Sequence, residues 1–520
     1  MKLRTAGLNA AEQRIILGVC LISGAAQISL ATFNYIIAPM VTDLDATETQ
    51  QSLLRQLPSV GALMVIFLAG VLGPRVGVRR FLIGCGALMS LGYALVTIAP
   101  TMGLASAGLL LGSMGRQGLF VIVVGLLAAK LTNDETRASG FASYAAVTPL
   151  VFLVFPTIAG ALVEGVSWRA VSLLWVLSGI GAVIASIQLL PPDDRADDRI
   201  SGELWTPALA GFVLASLVET LNNGSSAGWT SAKTLVWISL GILSAGALIV
   251  LMRRLNSPTL DISMLRHGGV RVLLLVVVLM MFTNVWFYLT IGLQYVYGYT
   301  AFQTAVLMMP SQAAGIVGAA VAARLIRSRG LRFAGTVALI ALAVSLFLCM
   351  TQTVTMPVWI PLTIVCLYSA ALTAAAIALT NSVMNLAPPG AEGTMSAFRG
   401  ASNNLGGALG VVVMTAIVYG TFEASLTTQL AASGQSTAQV SEISSALRSG
   451  ASSEEVASEY SVPLETVDTI DDEQKQSMVD AYRAQGLAGG IIMCVAAATF
   501  YFNRRELPGS NPSLRPNAET

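Results

Sequence analysis

The chain has 520 residues, 55% of them hydrophobic and only 11% charged, with a formal net charge of +1 and a mean hydropathy of +0.72. A soluble domain carries about 25% charged residues, so the composition points to a membrane protein. The balanced charge argues against an electrostatic nucleic-acid binder. The first apolar run, Ile15 to Pro39, is too long for the h-region of a signal peptide and lacks an A-x-A-like end, so it reads as a membrane span. Similar runs of about 20 residues, enough to cross ~30 Å of hydrocarbon, recur down the chain. They fall at 15–39, 52–73, 80–99, 103–129, 138–163, 170–190, 205–222, 234–252, 271–298, 303–323, 333–351, 357–386, 394–420 and 482–502. This predicts an all-α membrane protein with fourteen transmembrane helices. A β-barrel would show short alternating segments instead.

Between the second and third spans stands "GVLGPRVGVRR" (70–80), a stiff, basic turn. Its arginines fit the excess of positive charge found on cytoplasmic loops. With both termini cytoplasmic, only Arg55, Arg169, Lys233, Arg448, Lys475 and Arg483 of the 29 basic residues fall outside, and Arg116 lies within a span. After the tenth span the chain reads "ARLIRSRGLR" (323–332), where Leu325, Gly330 and Arg332 repeat the spacing of Leu72, Gly77 and Arg79. Two related halves follow from that repeat. They are expected at 15–190 and 271–502, separated by a linker (191–204), a two-helix insert (205–252) and a cytoplasmic loop (253–270). Residues 421–480 form an extracytoplasmic acidic loop, with Val440, Ile443 and Leu447 on one helical face, and are a candidate docking surface for an extracytoplasmic partner. The polar tail, 503–520, reads as disordered.

Several of these segments carry a family resemblance. "LQYVYGYTAFQTAVLMMP" (293–310), "NNLGGALGVVV" (403–413), the insert "GWTSAKTLVWISLGILSAGALIVLMRRLNSPTLDISMLR" (228–266) and "SWRAVSLLWV" (167–176) together resemble the major facilitator superfamily, in its fourteen-span drug:proton antiporter branch. The resemblance implies two six-helix bundles with two extra central helices, and alternating access between them. The chain departs from the branch at the turn, where the family's acid is Pro74 and its counterpart in the repeat is Arg327. The acidic latch that normally holds the cytoplasmic side closed is therefore absent or remade by other contacts. The first span, "QISLATFNYIIAP" (27–39), has Gln27 and Asn34 but no acid, and "VFPTIAGAL" (154–162) has Phe155 where the antiporter motif has glycine.

Arg116 is the sharpest candidate for function. It stands near the middle of its span, where a charge costs several kcal/mol and marks an interior cavity or a partner. The expected partners are neutral: Gln27, Asn34, Gln117 or Tyr144, with backbone carbonyls. Further substrate or coupling candidates are Asn284, Trp286, Tyr288, Gln294 and Asn403, with Glu219 as the only carboxylate well inside a span. Gly70, Pro74, Arg75, Gly77, Arg79, Arg80 and Arg327 form the expected cytoplasmic gating turn. The cysteines Cys20, Cys85, Cys349, Cys366 and Cys494 all lie in apolar runs and read as small core residues. Neither a metal cluster nor a phosphate-binding loop is visible, so no enzyme, cofactor or metal is expected.

The sequence thus predicts a secondary exporter of amphipathic or hydrophobic drug-like molecules in a bacterial inner membrane, with protons as a possible coupling ion. The alternatives are a lipid or glycolipid translocator of the same fold and a non-transporting membrane scaffold. The expected partners are the lipid bilayer, a small amphipathic or lipid substrate and protons.

Overall fold

The computed structural model describes residues 9–131, 134–193, 203–255, 260, 262–283, 293, 296–299, 301–433, 443, 453–460 and 462–503. Among these there are fifteen α-helices. In chain order they are α1 (Ala10–Asp43), α2 (Glu48–Val76), α3 (Val78–Thr97), α4 (Met102–Lys130), α5 (Asp134–Gly165), α6 (Trp168–Leu189), α7 (Trp205–Ala227) and α8 (Ala232–Arg254). There follow α9 (Gly268–Phe282), α10 (Ala301–Arg329), α11 (Leu331–Leu348), α12 (Trp359–Asn385), α13 (Glu392–Ser433), α14 (Ser453–Tyr460) and α15 (Leu464–Phe502).

Local chemistry sets the helix starts. Asn9 and Glu12 cap α1 reciprocally, and Thr47 and Gln50 do the same for α2, satisfying backbone donors that have no partner inside the helix. Gly77, at φ +100°, breaks α2 from α3, a conformation that glycine adopts without strain. The equivalent break between α10 and α11 is Gly330, at φ +83°, so the repeat seen in the sequence is a repeat of backbone geometry.

Twelve of the described helices are long and apolar enough to cross a membrane: α1–α6, α8, α10–α13 and α15. The remaining two expected spans coincide with α7 and α9. Glu219, Asn222 and Asn223 interrupt the apolar character of α7. Helix α9 is described only to Phe282, since 284–292 lie outside the described residues.

Helices α1–α6 pack together, as do α9–α13 and α15. The halves meet along two seams, α2 against α13 and α5 against α10. Helices α7 and α8 pair with each other, and α7 rests on both α2 and α13. Helix α8 turns large side chains such as Ile242 and Leu243 outward, at 68% and 69% exposure. Such a surface belongs in lipid.

Small residues set the close packing, as expected where no hydrophobic drive acts between helices. A Cβ on Gly92 of α3 would stand 2.7 Å from the Gly112 Cα of α4, and one on Gly318 of α10 would stand 2.7 Å from the Ala370 Cα of α12. The acidic segment 421–480 carries helix rather than plain loop: α13 runs into it as far as Ser433 and α15 starts at Leu464. Ile443 packs there with Val456, Val467 and Ile470, while Val440 and Leu447 lie outside the described residues. Arg483 ties the extension down, bonding the Gln352 carbonyl at 2.9 Å and Asp480 at 3.0 Å.

Candidate functional site: two intramembrane arginines and the gate face

Arg116 sits at the midpoint of α4, fourteen residues from either end, or about 21 Å at 1.5 Å per residue. Its side chain is half-buried and no carboxylate pairs with it among the described residues. The neutral partner is Tyr93, whose hydroxyl lies beside the guanidinium and donates to Ser29 Oγ at 2.9 Å. None of the four partners expected from sequence was Tyr93. The cause is the glycine stripe: α3 comes so close to α4 that the Tyr93 ring lies over Gly112, 2.6 Å from where a Cβ would stand. Trp175 of α6 braces the ring edge-on, at 5.0 Å, and itself donates to Thr32 Oγ1 at 2.7 Å.

Gln27 and Asn34, seven residues apart on α1, part company. Gln27 is buried and spends its amide on Ser23, at 3.1 Å to the hydroxyl and 3.3 Å to the carbonyl. Asn34 is exposed.

Tyr144 of α5 lies beside Arg399 of α13, with Ser23 of α1 as another polar neighbour, and its ring stands 6.2 Å from that of Phe120, one turn beyond Arg116 on α4. The Tyr144 hydroxyl is buried without a hydrogen bond, and so is the Arg399 Nε. Arg399 reaches Thr380 Oγ1 at 3.4 Å. It stands seven residues into α13, about 10 Å along the helix. Thus a second uncancelled arginine bridges the two halves. Asn403, one turn further along α13, is half-buried. Asn284, Trp286, Tyr288 and Gln294 lie outside the described residues. Glu219 is 1% exposed on α7, beside the Ser59 hydroxyl of α2.

The halves close tightly on the face that bears the 70–80 turn. A Cβ on Gly70 of α2 would stand 2.6 Å from the Gly393 carbonyl oxygen of α13, and one on Gly393 would stand 3.2 Å from the Pro74 ring. Phe67 and Phe398 meet edge to face at 5.3 Å. Ser396 donates to the Val121 carbonyl of α4 at 2.7 Å. Arg137 of α5 bonds Asn385 of α12 and the Ala128 carbonyl at 2.5 Å.

The position that the resemblance fills with an acid is thus a proline packed on a glycine. An acid still serves the turn, but it comes from the linker. Asp193 accepts from the Arg79 and Arg80 backbone N–H groups at 2.9 and 3.0 Å, capping an α3 that has no acid in its own first turn. Nothing in the spacing of the linker sequence pointed to that contact. Arg79 itself reaches the Ile187 carbonyl, Arg75 holds a buried Nη1 without a partner, and Arg80 and Arg327 are exposed. A crevice of about 320 Å³ opens here between Gly77, Lys130, Asp193 and Glu392. No group of side chains suited to a metal ion occurs among the described residues.

Two helical halves meeting at two seams around interior polar residues, with a glycine-to-glycine contact closing one face, define a polytopic transporter fold rather than an enzyme. The chain belongs to the Major Facilitator Superfamily, whose model matches residues 19–411. Several relatives are named for drug transport or resistance. The multidrug transporter mfsC of Aspergillus fumigatus is 27% identical over 270 residues, 51% of each chain, so the match spans about half the length of that relative. The methyl viologen resistance protein SmvA of Salmonella typhimurium is 23% identical over 402 residues, 76% of this chain and 80% of its own. Among solved structures, the human organic anion transporter MFSD10 (TETRAN) superposes with a TM-score of 0.61 at 14% identity, covering 93% of this chain and 99% of its own. That likeness bears on the fold alone.

Proposed function

We propose that the protein is a secondary exporter of amphipathic, drug-like molecules that works by alternating access across a bacterial inner membrane, with protons as the coupling ion. In this reading 15–190 and 271–502 are the rocking bundles, 191–204 the linker, 205–252 the insert and 253–270 a cytoplasmic loop. The gate face is cytoplasmic, as are both termini, and its closure makes the present arrangement outward-facing. The acidic extension at 421–480 stands on the release side, where a partner can dock.

The observation that carries the reading is Arg116, a half-buried mid-membrane charge with a tyrosine beside it and, among the described residues, no carboxylate paired with it. Its field is uncancelled, so it attracts an anionic or acceptor group of a substrate whose remaining surface is apolar. Arg399 adds a second such charge, and its contact with Tyr144 spans the halves and must part as they rock. The relatives named for multidrug and methyl viologen resistance support export of small organic molecules; methyl viologen is a dication, so the anionic preference rests on Arg116 and Arg399 alone.

Expression in a drug-sensitive host lacking its major pumps tests the reading. Resistance to a panel of lipophilic dyes and antibiotics should rise, and Arg116→Gln should lose it first for anionic compounds. Unchanged resistance and accumulation across the panel contradicts it.

A further inference from the structure

Helix α7 presents a polar ridge to α2. Ser216, Glu219 and Asn223 recur at the three- and four-residue spacing that lines one helix face, and all three are buried, at 0%, 1% and 4% exposure. The Gln56 amide of α2 donates to Asn223 Oδ1 at 3.0 Å, and the Asn223 amide donates back to the Glu219 carbonyl at 2.8 Å. The backbones are close, since a Cβ on Gly211 of α7 would stand 2.8 Å from the Leu63 carbonyl oxygen. Inside this seam the Glu219 carboxyl lies beside the Ser59 hydroxyl, and its Oε1 has no hydrogen-bond partner. Ser59 follows Pro58, which interrupts the α2 ladder.

The groups facing Glu219 offer no described counter-charge. On α2 the neighbours are Gln56 and Ser59, with Arg55 four residues before Ser59 in sequence. On α8 the charged residues Lys233, Arg253 and Arg254 stand at the two ends. On α13, Arg399 lies beside Tyr144 and reaches Thr380, Glu392 opens the helix at the gate face, and Tyr419 is exposed. A carboxylate enclosed without a cation is very costly. A neutral carboxylic acid, which can donate to Ser59, suits the site. Helix α7 also rests on α13, and on α2 the seam at Ser59 stands eleven residues from Gly70 of the gate face, about 16 Å along the same helix, so a tilt of α2 moves both.

We propose that Glu219 is the proton-carrying carboxyl of the transport cycle, neutral while α7 is seated on α2 and ionised when movement of α2 against α13 admits water to the seam. The proton passes from the carboxyl oxygen to that water on the gate side, and the carboxylate takes up its next proton from water on the opposite side of the membrane before the seam closes again. This rests on the proton-coupled reading above and names the residue within it.

The test uses the full chain in liposomes, with the five native cysteines replaced and spin labels at Ala129→Cys and Pro389→Cys, on the two sides of the gate face. The distance distribution of the otherwise native protein should shift on going from acidic to alkaline pH. Glu219→Gln should lose that shift and keep the low-pH distribution at every pH, and Glu219→Asp should retain it with a displaced midpoint. A Glu219→Gln protein with the native pH response overturns the proposal, as does a native protein with none. Should the glutamine variant fail to fold, a Glu219→Asp midpoint equal to the native one overturns it. The exporter reading fails separately, if the native chain does not lower dye accumulation in cells.

Discussion

Gly70→Ala adds one methyl group at the tightest point of the gate face. That methyl would stand 2.6 Å from the Gly393 carbonyl oxygen and 2.9 Å from the Ala397 Cβ. The first obstacle is backbone at the start of α13, so no side chain can swing away to make room, and α2 and α13 must separate. Overpacking of this kind costs about 1–3 kcal/mol. The cost applies only while the gate face is closed, because the methyl meets nothing once the helices part. The weight of the closed state should therefore fall by roughly 5- to 150-fold. The spin-label pair at Ala129 and Pro389 reads this as a longer distance at constant pH. Gly84→Ala on α3 is the control, since a Cβ there meets nothing within 4 Å, and it should leave the distribution unchanged. A folded Gly70→Ala protein whose distances superpose on the native ones would refute the reasoning, and with it the assignment of Gly70 and Gly393 to the gate.

Arg116→Gln should weaken binding of an anionic lipophilic dye by roughly 10- to 150-fold, the equivalent of one charge-assisted contact of about 1.5–3 kcal/mol. Arg116→Lys should recover part of the loss, since it keeps the charge without the planar fork. Dye titration of the purified protein decides, and a glutamine variant that binds anionic and neutral dyes as the native protein does makes Arg116 structural. Asp193→Ala should remove the cap of α3, worth about 0.5–2 kcal/mol, and raise amide exchange over 78–81. Unchanged exchange there means the linker does not hold the turn. Pro74→Asp should act in the opposite sense to Gly70→Ala. It places a negative charge beside the first turn of α13 and should favour the closed gate by about 0.3–1 kcal/mol, seen as a narrower distance distribution.

The repeat of Gly77 in Gly330 was legible because left-handed backbone at a helix break demands glycine, and the spans were legible because lipid demands apolar length. The value of Pro74 was half legible: its lack of charge was plain, but that it packs on Gly393 depends on a residue more than 300 positions away. The partner of Arg116 was missed for a similar reason. The sequence shows Gly108, Gly112 and Gly115 as a packing stripe, yet only the approach of α3 puts the Tyr93 hydroxyl beside the arginine. Tyr144 was named as a neutral partner for Arg116, and the structure adds Arg399 beside it, a neighbour that helix depth along α5 does not reveal. The Glu219 seam was hidden because its other members, Ser59, Gln56 and Asn223, are ordinary polar residues until α7 and α2 are seen side by side.

Uptake of a lipophilic fluorescent dye into everted membrane vesicles, with and without an imposed pH gradient, tests the central claim most directly. The account predicts accumulation inside the vesicles when their lumen is acidic, lost on collapsing the gradient and reduced by Arg116→Gln for anionic dyes. Vesicles that take up no more dye than those lacking the protein, for cationic, neutral and anionic dyes alike, would contradict it.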